Sequence, residues 1–207
     1  CLLVNDGSTD GTAKLLEELA TSTDSINVLH LAENSGKAEA VRQGIQKALE
    51  HSPEYVGYWD ADMATPLSEI DSFMACFRLG SYEAVIGSRL ARLGAEVKRR
   101  NSRHYLGRVF ATVVSILLKL RVYDTQCGAK IFRSELARLI FDRPFKSKWL
   151  FDVEILKRIA EQRGLQATQD EIVYELPVMS WREVEGSKLK SSMMLMAPFQ
   201  LLKIFFF

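Results

Sequence analysis

Two acidic clusters stand where a chain of this pattern would gather a ligand. Asn5-Asp6 follows the apolar run Leu2-Leu3-Val4, and Asp60-Ala61-Asp62 follows the apolar stretch from Tyr55 to Trp59. An Asp-x-Asp directly after a strand suits a divalent metal such as Mg2+, which takes one or two carboxylates from protein and fills its other positions with water and phosphate oxygens. That chemistry predicts a diphosphate ligand. At the neighbouring strand end, Asp6 could accept hydrogen bonds from a ribose hydroxyl or a base N–H. Gly36-Lys37 opens a helical pattern, and a helix N-terminus with a lysine beside it is a site for a nucleotide. Each feature also has a structural alternative, since carboxylates at strand ends cap helices as well. No G-x-x-x-x-G-K-[ST] occurs and no G-x-G-x-x-G follows a strand, which excludes a P-loop ATPase and a dinucleotide oxidoreductase.

Groups so placed need strands that end together, and the first half of the chain has the required rhythm. Apolar runs at residues 2–4, 26–31, 55–59 and 84–87 alternate with helical patterns at 12–20, 36–49 and 66–79, the sequence form of βαβ units feeding a largely parallel sheet. Ligands collect outside the carboxyl ends of such strands. The rhythm then stops at a basic loop, residues 89–108, containing Lys98, Arg99, Arg100 and Arg103. Residues 105–120 read as a helix with apolar side chains around much of its circumference, so protein, a partner or lipid must cover it. Residues 124–128 read as a loop, 149–163 as a helix and 171–175 as a short late strand; 178–190 has no clear period.

The 207 residues are 47% hydrophobic and 26% charged with a mean hydropathy of −0.03, which excludes a disordered chain, a collagen-like repeat and a polytopic membrane protein. The length suits one domain rather than two with separate cores. Lys+Arg 27 against Asp+Glu 26 leaves a net charge of +1, without the one-signed footprint of a nucleic-acid partner. Cys1, Cys76 and Cys127 form neither a zinc motif nor a disulfide framework, and a reducing compartment fits. His30, His51 and His104 are scattered singly and are not read as metal ligands. The apolar opening, without initiator Met or cleavage signal, predicts a start inside a domain. Residues 193–207 are apolar but interrupted by Pro198, Gln200 and Lys203, and read either as a core or interfacial helix or as the beginning of a membrane segment.

Taken in order, residues 5–12 (Asn-Asp-Gly-Ser-Thr-Asp-Gly-Thr), Asn34-x-Gly36-Lys37, Asp60-Ala61-Asp62-x-Ala64-Thr65, Gly87-Ser88-Arg89, Asp124-Thr125-Gln126-Cys127-Gly128 and Gly186-Ser187-Lys188 resemble the successive motifs of family 2 glycosyltransferases. Asp-Thr-Gln-Cys-Gly with Trp181-x-Glu183-x-x-Gly186-Ser187-Lys188 points to the branch that uses polyprenyl phosphates, of the dolichyl-phosphate β-glucosyltransferase type. The resemblance implies one α/β catalytic domain over residues 1–207. Its fold would be GT-A, a Rossmann-like, mostly parallel sheet flanked by helices. It also implies an inverting transfer of a hexose from a nucleotide-sugar donor, with Mg2+ or Mn2+ at the Asp-x-Asp. Asn5, Asp6, Gly36, Lys37, Asp60, Ala61 and Asp62 would bind the donor, with Asp60 and Asp62 at the metal. Ala64 stands where related mannosyltransferases carry a metal-binding Gln, which favours glucose from UDP-glucose over mannose from GDP-mannose. The family's first strand precedes the strand at residues 2–4. It is missing from these residues, so this stretch alone is expected to be inactive or poorly stable.

The acceptor implied is a dolichyl or undecaprenyl phosphate. A lipid monophosphate has a second pKa near 6 and is largely dianionic at neutral pH, so it can attack the anomeric carbon without a strong base. Catalysis should then rest on placement and charge, which assigns Arg89 and Lys188 to the diphosphate or the acceptor phosphate, with Arg103 and Ser187 beside the latter. Asp124 either positions the acceptor, acts as base for a hydroxyl acceptor, or makes a simple Asx-turn. Asp152 and Glu154, first-turn carboxylates of a helix, are further candidates beside the sugar. The basic loop and the apolar segments would bring the site to a membrane surface, on the cytoplasmic face of a bacterial inner membrane or the endoplasmic reticulum. The alternatives are a soluble family 2 enzyme with a hydroxyl acceptor, a GDP-mannose-dependent enzyme, and a non-catalytic nucleotide-sugar binder.

Overall fold

The structure is a computed structural model and describes residues 1–98, 101–184 and 191–206, without the side chains of residues 98, 101–106 and 191–195. The first βα units run β1 (Leu2–Asn5), α1 (Thr12–Ser22), β2 (Asn27–His30), α2 (Lys37–Leu49) and β3 (Tyr55–Trp59). A 3-10 turn, Leu67–Glu69, leads into α3 (Ile70–Leu79), followed by β4 (Ala84–Ser88). The sequence pattern starts this helix at Pro66, but Pro66 is extended, at φ −61° and ψ 146°, and the α-helix begins four residues later. The middle of the chain forms β5 (Glu96–Lys98), α4 (Asn101–Leu118), β6 (Ala129–Arg133), α5 (Ser134–Ile140) and α6 (Phe151–Arg163). The last part is α7 (Leu165–Ala167), a π turn Thr168–Ile172, β7 (Val173–Pro177), β8 (Ser180–Arg182) and α8 (Ser191–Phe206). The late strand thus lies two residues beyond its expected place, because the π turn takes up the preceding residues.

The central sheet has the order β3-β6-β4-β7. β4 is buried at all five positions, as befits a strand covered on both faces. It pairs parallel with β7, whereas β6 lies antiparallel between β3 and β4. This reversed strand is the departure from the parallel pattern read in the sequence. Among the described residues, β1 pairs only with β2, in parallel, and β3 only with β6, so each keeps an unpaired edge while α2 packs against both β1 and β3. A separate parallel pair joins β5 to β8.

Alternation along β6 and β4 divides the core into two layers. Phe132 and Ala84 join Val56 and Tyr58 of β3 under α2, α5 and α6, while Ala129, Ile131 and Val85 face Phe73, Cys76 and Phe77 of α3. A third cluster joins Val114 and Leu118 of α4 and Ala197, Leu201 and Ile204 of α8 to Leu150, Val153 and Leu156. Among the described side chains of α4 only one side is covered: Val109, Val113, Ile116 and Leu117 remain exposed. The chain's last segment is helical within the described residues and packs through one face, leaving Met196, Phe199, Leu202 and Phe206 exposed. No described helix is long and apolar enough to cross a membrane.

Candidate active site

Because β6 runs against β3 and β4, it begins where they end, and this brings three chain segments to one edge. Asp60 follows β3, Arg89 follows β4, and residues 124–128 deliver β6. The register Trp59↔Ala129 sets Asp60 opposite Gly128, and the Asp60 N–H donates to the Gly128 carbonyl at 2.8 Å. The Asp60 carboxylate lies over Gly128 so closely that a Cβ there would stand 2.1 Å from its Cγ. Glycine at 128 is therefore a spatial requirement of Asp60.

The Asp-x-Asp forms a turn in which the Met63 N–H reaches the Asp60 carbonyl at 3.1 Å. Met63 closes it at φ +53°, a left-handed conformation uncommon for a residue with a side chain. Ala61 and Asp62 are exposed, and Asp62 spends one oxygen on the Ala64 N–H at 3.0 Å. Lys37, the first residue of α2 after Gly36 at φ +93°, places its ammonium 2.6 Å from Asp60 Oδ1. Burial works against that charge, but Asp152, Asp60 and Asp62 outweigh it and raise the Lys37 pKa, so the site holds a fixed cation beside its carboxylates. Among the described residues no group of three or more His, Cys, Asp or Glu side chains converges. One or two carboxylates on a strand-end turn fit an ion that completes its shell from a diphosphate and water.

Asp6 is brought near but is used by the fold. Its two carboxylate oxygens accept the N–H groups of Ser35 and Gly36 at 2.8 and 2.9 Å, which ties the end of β1 to the start of α2. A carboxylate has lone pairs beyond these two, so a ribose hydroxyl remains a compatible partner. Asn5 is 5% exposed; its side-chain oxygen accepts from the Ser8 N–H and its amide nitrogen meets His30. It shapes the turn instead of lining an open surface.

Arg89 and Asp124 meet across 35 residues of sequence in a two-pronged pair, with Nε and Nη2 at 2.6 and 2.8 Å from the two carboxylate oxygens. The Arg89 and Gln126 N–H groups also donate to Asp124. Four donors on one carboxylate fill its usual capacity, which gives Asp124 the geometry of a clamp and also includes the Asx-turn. Burial lowers the Arg89 pKa and Asp124 raises it more, so the guanidinium stays charged. Trp181 of β8 covers it at 5.5 Å from guanidinium carbon to ring centroid. β8 is held there by Glu69, which accepts the Met179 and Ser180 N–H groups, and by the Arg182 N–H on the Ala64 carbonyl. Cys127 is no nucleophile, because burial and then Asp124 push its thiol up to about 11.

Asp152 and Glu154 do not reach this edge as open carboxylates. Asp152 is 3% exposed and pairs with Lys130, while Glu154 is 4% exposed and pairs with Arg158. Helix first turns attract carboxylates for their dipole alone, and here both serve buried cations. Ser187, Lys188 and the Arg103 side chain lie outside the described residues. Sequence reading missed Lys130, Glu69 and the place of Trp181; the only available signal was Trp181 in its motif. A depression of about 210 Å³ lined by Gln46, Leu49, Ala137, Arg138 and Phe141 lies at the far end of α2 from Lys37, away from these groups.

Comparison with known proteins bears on the family and the fold. Residues 1–141 match the model of glycosyl transferase family 2. The chain is 34% identical to a dolichyl-phosphate beta-glucosyltransferase of Trichomonas vaginalis, over 98% of this chain and 58% of that protein. Its identity to the dolichyl-phosphate beta-glucosyltransferase of Saccharomyces cerevisiae is 31%, over 91% and 58%. It thus spans less than two thirds of the curated relatives it matches. Among solved structures, glucosyl-3-phosphoglycerate synthase of Mycobacterium tuberculosis, in complex with Mn2+, UDP-glucose and glycerol 3-phosphate, superposes with a TM-score of 0.65 at 18% identity, over 99% of this chain and 68% of that one. That likeness shows the fold, GT-A.

Proposed function

The chain belongs to glycosyl transferase family 2, and from that premise we propose that it transfers glucose from UDP-glucose to a polyprenyl phosphate, with inversion, at a membrane surface. The observation that carries this reading is the turn at residues 60–62: two carboxylates at a strand end, one facing the cation of Lys37 at a helix N-terminus. The names of the relatives supply the sugar and the lipid class. In the reaction an oxygen of the acceptor phosphate forms the new bond to the anomeric carbon. The bond from that carbon to the diphosphate breaks, and its electron pair leaves with the nucleoside diphosphate. Asp60 and Asp62 would hold a divalent cation, which when bound neutralises charge on that diphosphate. Lys37 adds a second positive charge on the same side, and Arg89, fixed by Asp124 and Trp181, presents its remaining N–H donors to phosphate oxygens. Ser187 and Lys188, on the family motif, and Arg103, as a charge of the basic loop, are assigned to the acceptor phosphate. Residues 1–207 form the catalytic domain, and the open edges of β1 and β3 support a further strand completing its sheet.

Donor binding tests the metal assignment. Mn2+ should tighten UDP-glucose binding by about tenfold or more, and Asp62→Asn should remove that gain while the protein stays folded. Equal affinity with and without Mn2+ would favour a metal-independent binder.

The membrane side of the proposal rests on α4 and α8. Both bury one stripe in a shared cluster and expose the other, Val109, Val113, Ile116 and Leu117 on α4 and Met196, Phe199, Leu202 and Phe206 on α8. No Asp or Glu occurs from residue 97 to 123 or after residue 185, whereas Lys and Arg recur in both stretches. Apolar stripes with cationic flanks suit an anionic lipid surface. Ile116→Glu with Phe199→Glu should lower transfer to liposome-embedded polyprenyl phosphate by about tenfold relative to a short prenyl phosphate in solution. An equal effect on both acceptors, or none, would remove the membrane from this face.

A further inference from the structure

The core holds a cation that the proposed reaction does not use. Lys130 is 0% exposed, the second residue of β6, opposite Tyr58 of β3 and Ile86 of β4 and on the face it shares with Phe132. Its ammonium donates to three acceptors from two places in the fold, the loop before β6 and helix α6. They are the carbonyl of Thr125 at 3.1 Å, the carbonyl of Cys127 at 2.6 Å and Asp152 Oδ1 on α6 at 2.6 Å. Asp152 takes the Tyr58 hydroxyl on the same oxygen. Burial and then Asp152 push the Tyr58 phenol well above its ordinary range, so the tyrosine remains a donor.

A buried ammonium is expensive to desolvate, and an unbranched apolar side chain of similar length would fill the same space. What the ammonium adds is a bridge. The two carbonyls it holds belong to the loop whose alternate residues, Asp124 and Gly128, clamp Arg89 and lie under Asp60. We propose that Lys130 is a positioning residue, which with Asp152 as counterion fastens residues 124–128 to α6 and so sets where Asp124 and Asp60 stand. Lys130 itself touches neither donor nor acceptor. This inference rests on the proposed transfer reaction for its kinetic consequence but not for its structural one.

The test uses the full-length protein carrying Lys130→Met together with Asp152→Asn. The double change removes both buried charges at nearly constant volume and keeps an acceptor for Tyr58. Its melting temperature should stay near that of the unmodified protein, because exchanging a buried ion pair for neutral groups of similar size is often close to neutral. Amide hydrogen exchange over residues 124–128 should quicken about tenfold, and kcat for glucosyl transfer should fall about a hundredfold with the donor KM nearly unchanged. Lys130→Arg, which keeps the charge and its pairing, should recover part of that loss. A double variant that folds, protects the loop normally and turns over at the unmodified rate would overturn the assignment. Failure of both variants to fold would also overturn it, since the pair would then hold the whole fold and not one loop. If the unmodified protein transfers no sugar, the reaction is wrong, while the exchange comparison still decides the role of Lys130.

Discussion

Replacing Gly128 with Ala should cost the full-length protein at least about a hundredfold in glucosyl transfer, the scale of losing one preorganised electrostatic group at a reacting centre. The added Cβ would stand 2.1 Å from both Cγ and Oδ2 of Asp60 and 2.5 Å from Oδ1. The β3–β6 register and the 2.8 Å bond between the Asp60 N–H and the Gly128 carbonyl prevent the two residues from moving apart as backbones. The Asp60 carboxylate must therefore turn away, giving up its 2.6 Å contact with Lys37. The strand pairing itself survives such a turn, so the melting temperature should change little. Steady-state kinetics beside thermal melting check this. Full activity with Ala at 128 would mean that Asp60 works in some other position.

The largest effect on stability is expected at Glu154. Arg158 is buried with it and donates to the carbonyls of Ile140, Arg143 and Pro144 at 2.6, 2.9 and 2.7 Å, and to Glu154 Oε1 at 2.8 Å. Glu154 also accepts the Lys146 N–H at 2.8 Å, so this ion pair joins α6 to the segment after α5. Glu154→Ala leaves a buried guanidinium without its counterion, a change that costs about 3–5 kcal/mol. Denaturant unfolding measures that loss. Activity per folded molecule should hold, because Glu154 faces Arg158 and not the edge carrying Asp60. A loss of turnover without a loss of stability would return Glu154 to the catalytic residues.

The two acidic helix residues show where sequence reading reaches its limit. A carboxylate in a first helical turn is explained equally well by the helix dipole, a substrate or a buried partner, and only the fold shows Lys130 and Arg158 behind Asp152 and Glu154. β6 was illegible for a related reason. Its five residues, Ala-Lys-Ile-Phe-Arg, carry a lysine at an inward position, and a charge there hides the apolar period. β3, by contrast, was readable to the residue, because Tyr55–Trp59 is apolar and ends at a turn-forming Asp. The motifs at residues 5–6, 36–37 and 60–62 were legible as groups at neighbouring strand ends, and the structure brings them to one edge. Missing was the pairing between them. Arg89 with Asp124 and Lys37 with Asp60 join segments far apart in the chain, and one sequence holds no record of which distant charges meet. The covered and open sides of α4 were equally hidden, because its apolar residues surround the helix and only packing against α6 and α8 distinguishes Val114 from Ile116.

The most direct measurement is transfer of radiolabelled sugar by the full-length protein with Mn2+ or Mg2+ present, offering UDP-glucose and GDP-mannose in turn to dolichyl phosphate and to a water-soluble hydroxyl acceptor. Glucose on the lipid phosphate, from UDP-glucose alone, is the expected result. Product on the hydroxyl acceptor alone, or no product while the donor binds normally, would contradict a glucosyltransferase that uses a polyprenyl phosphate.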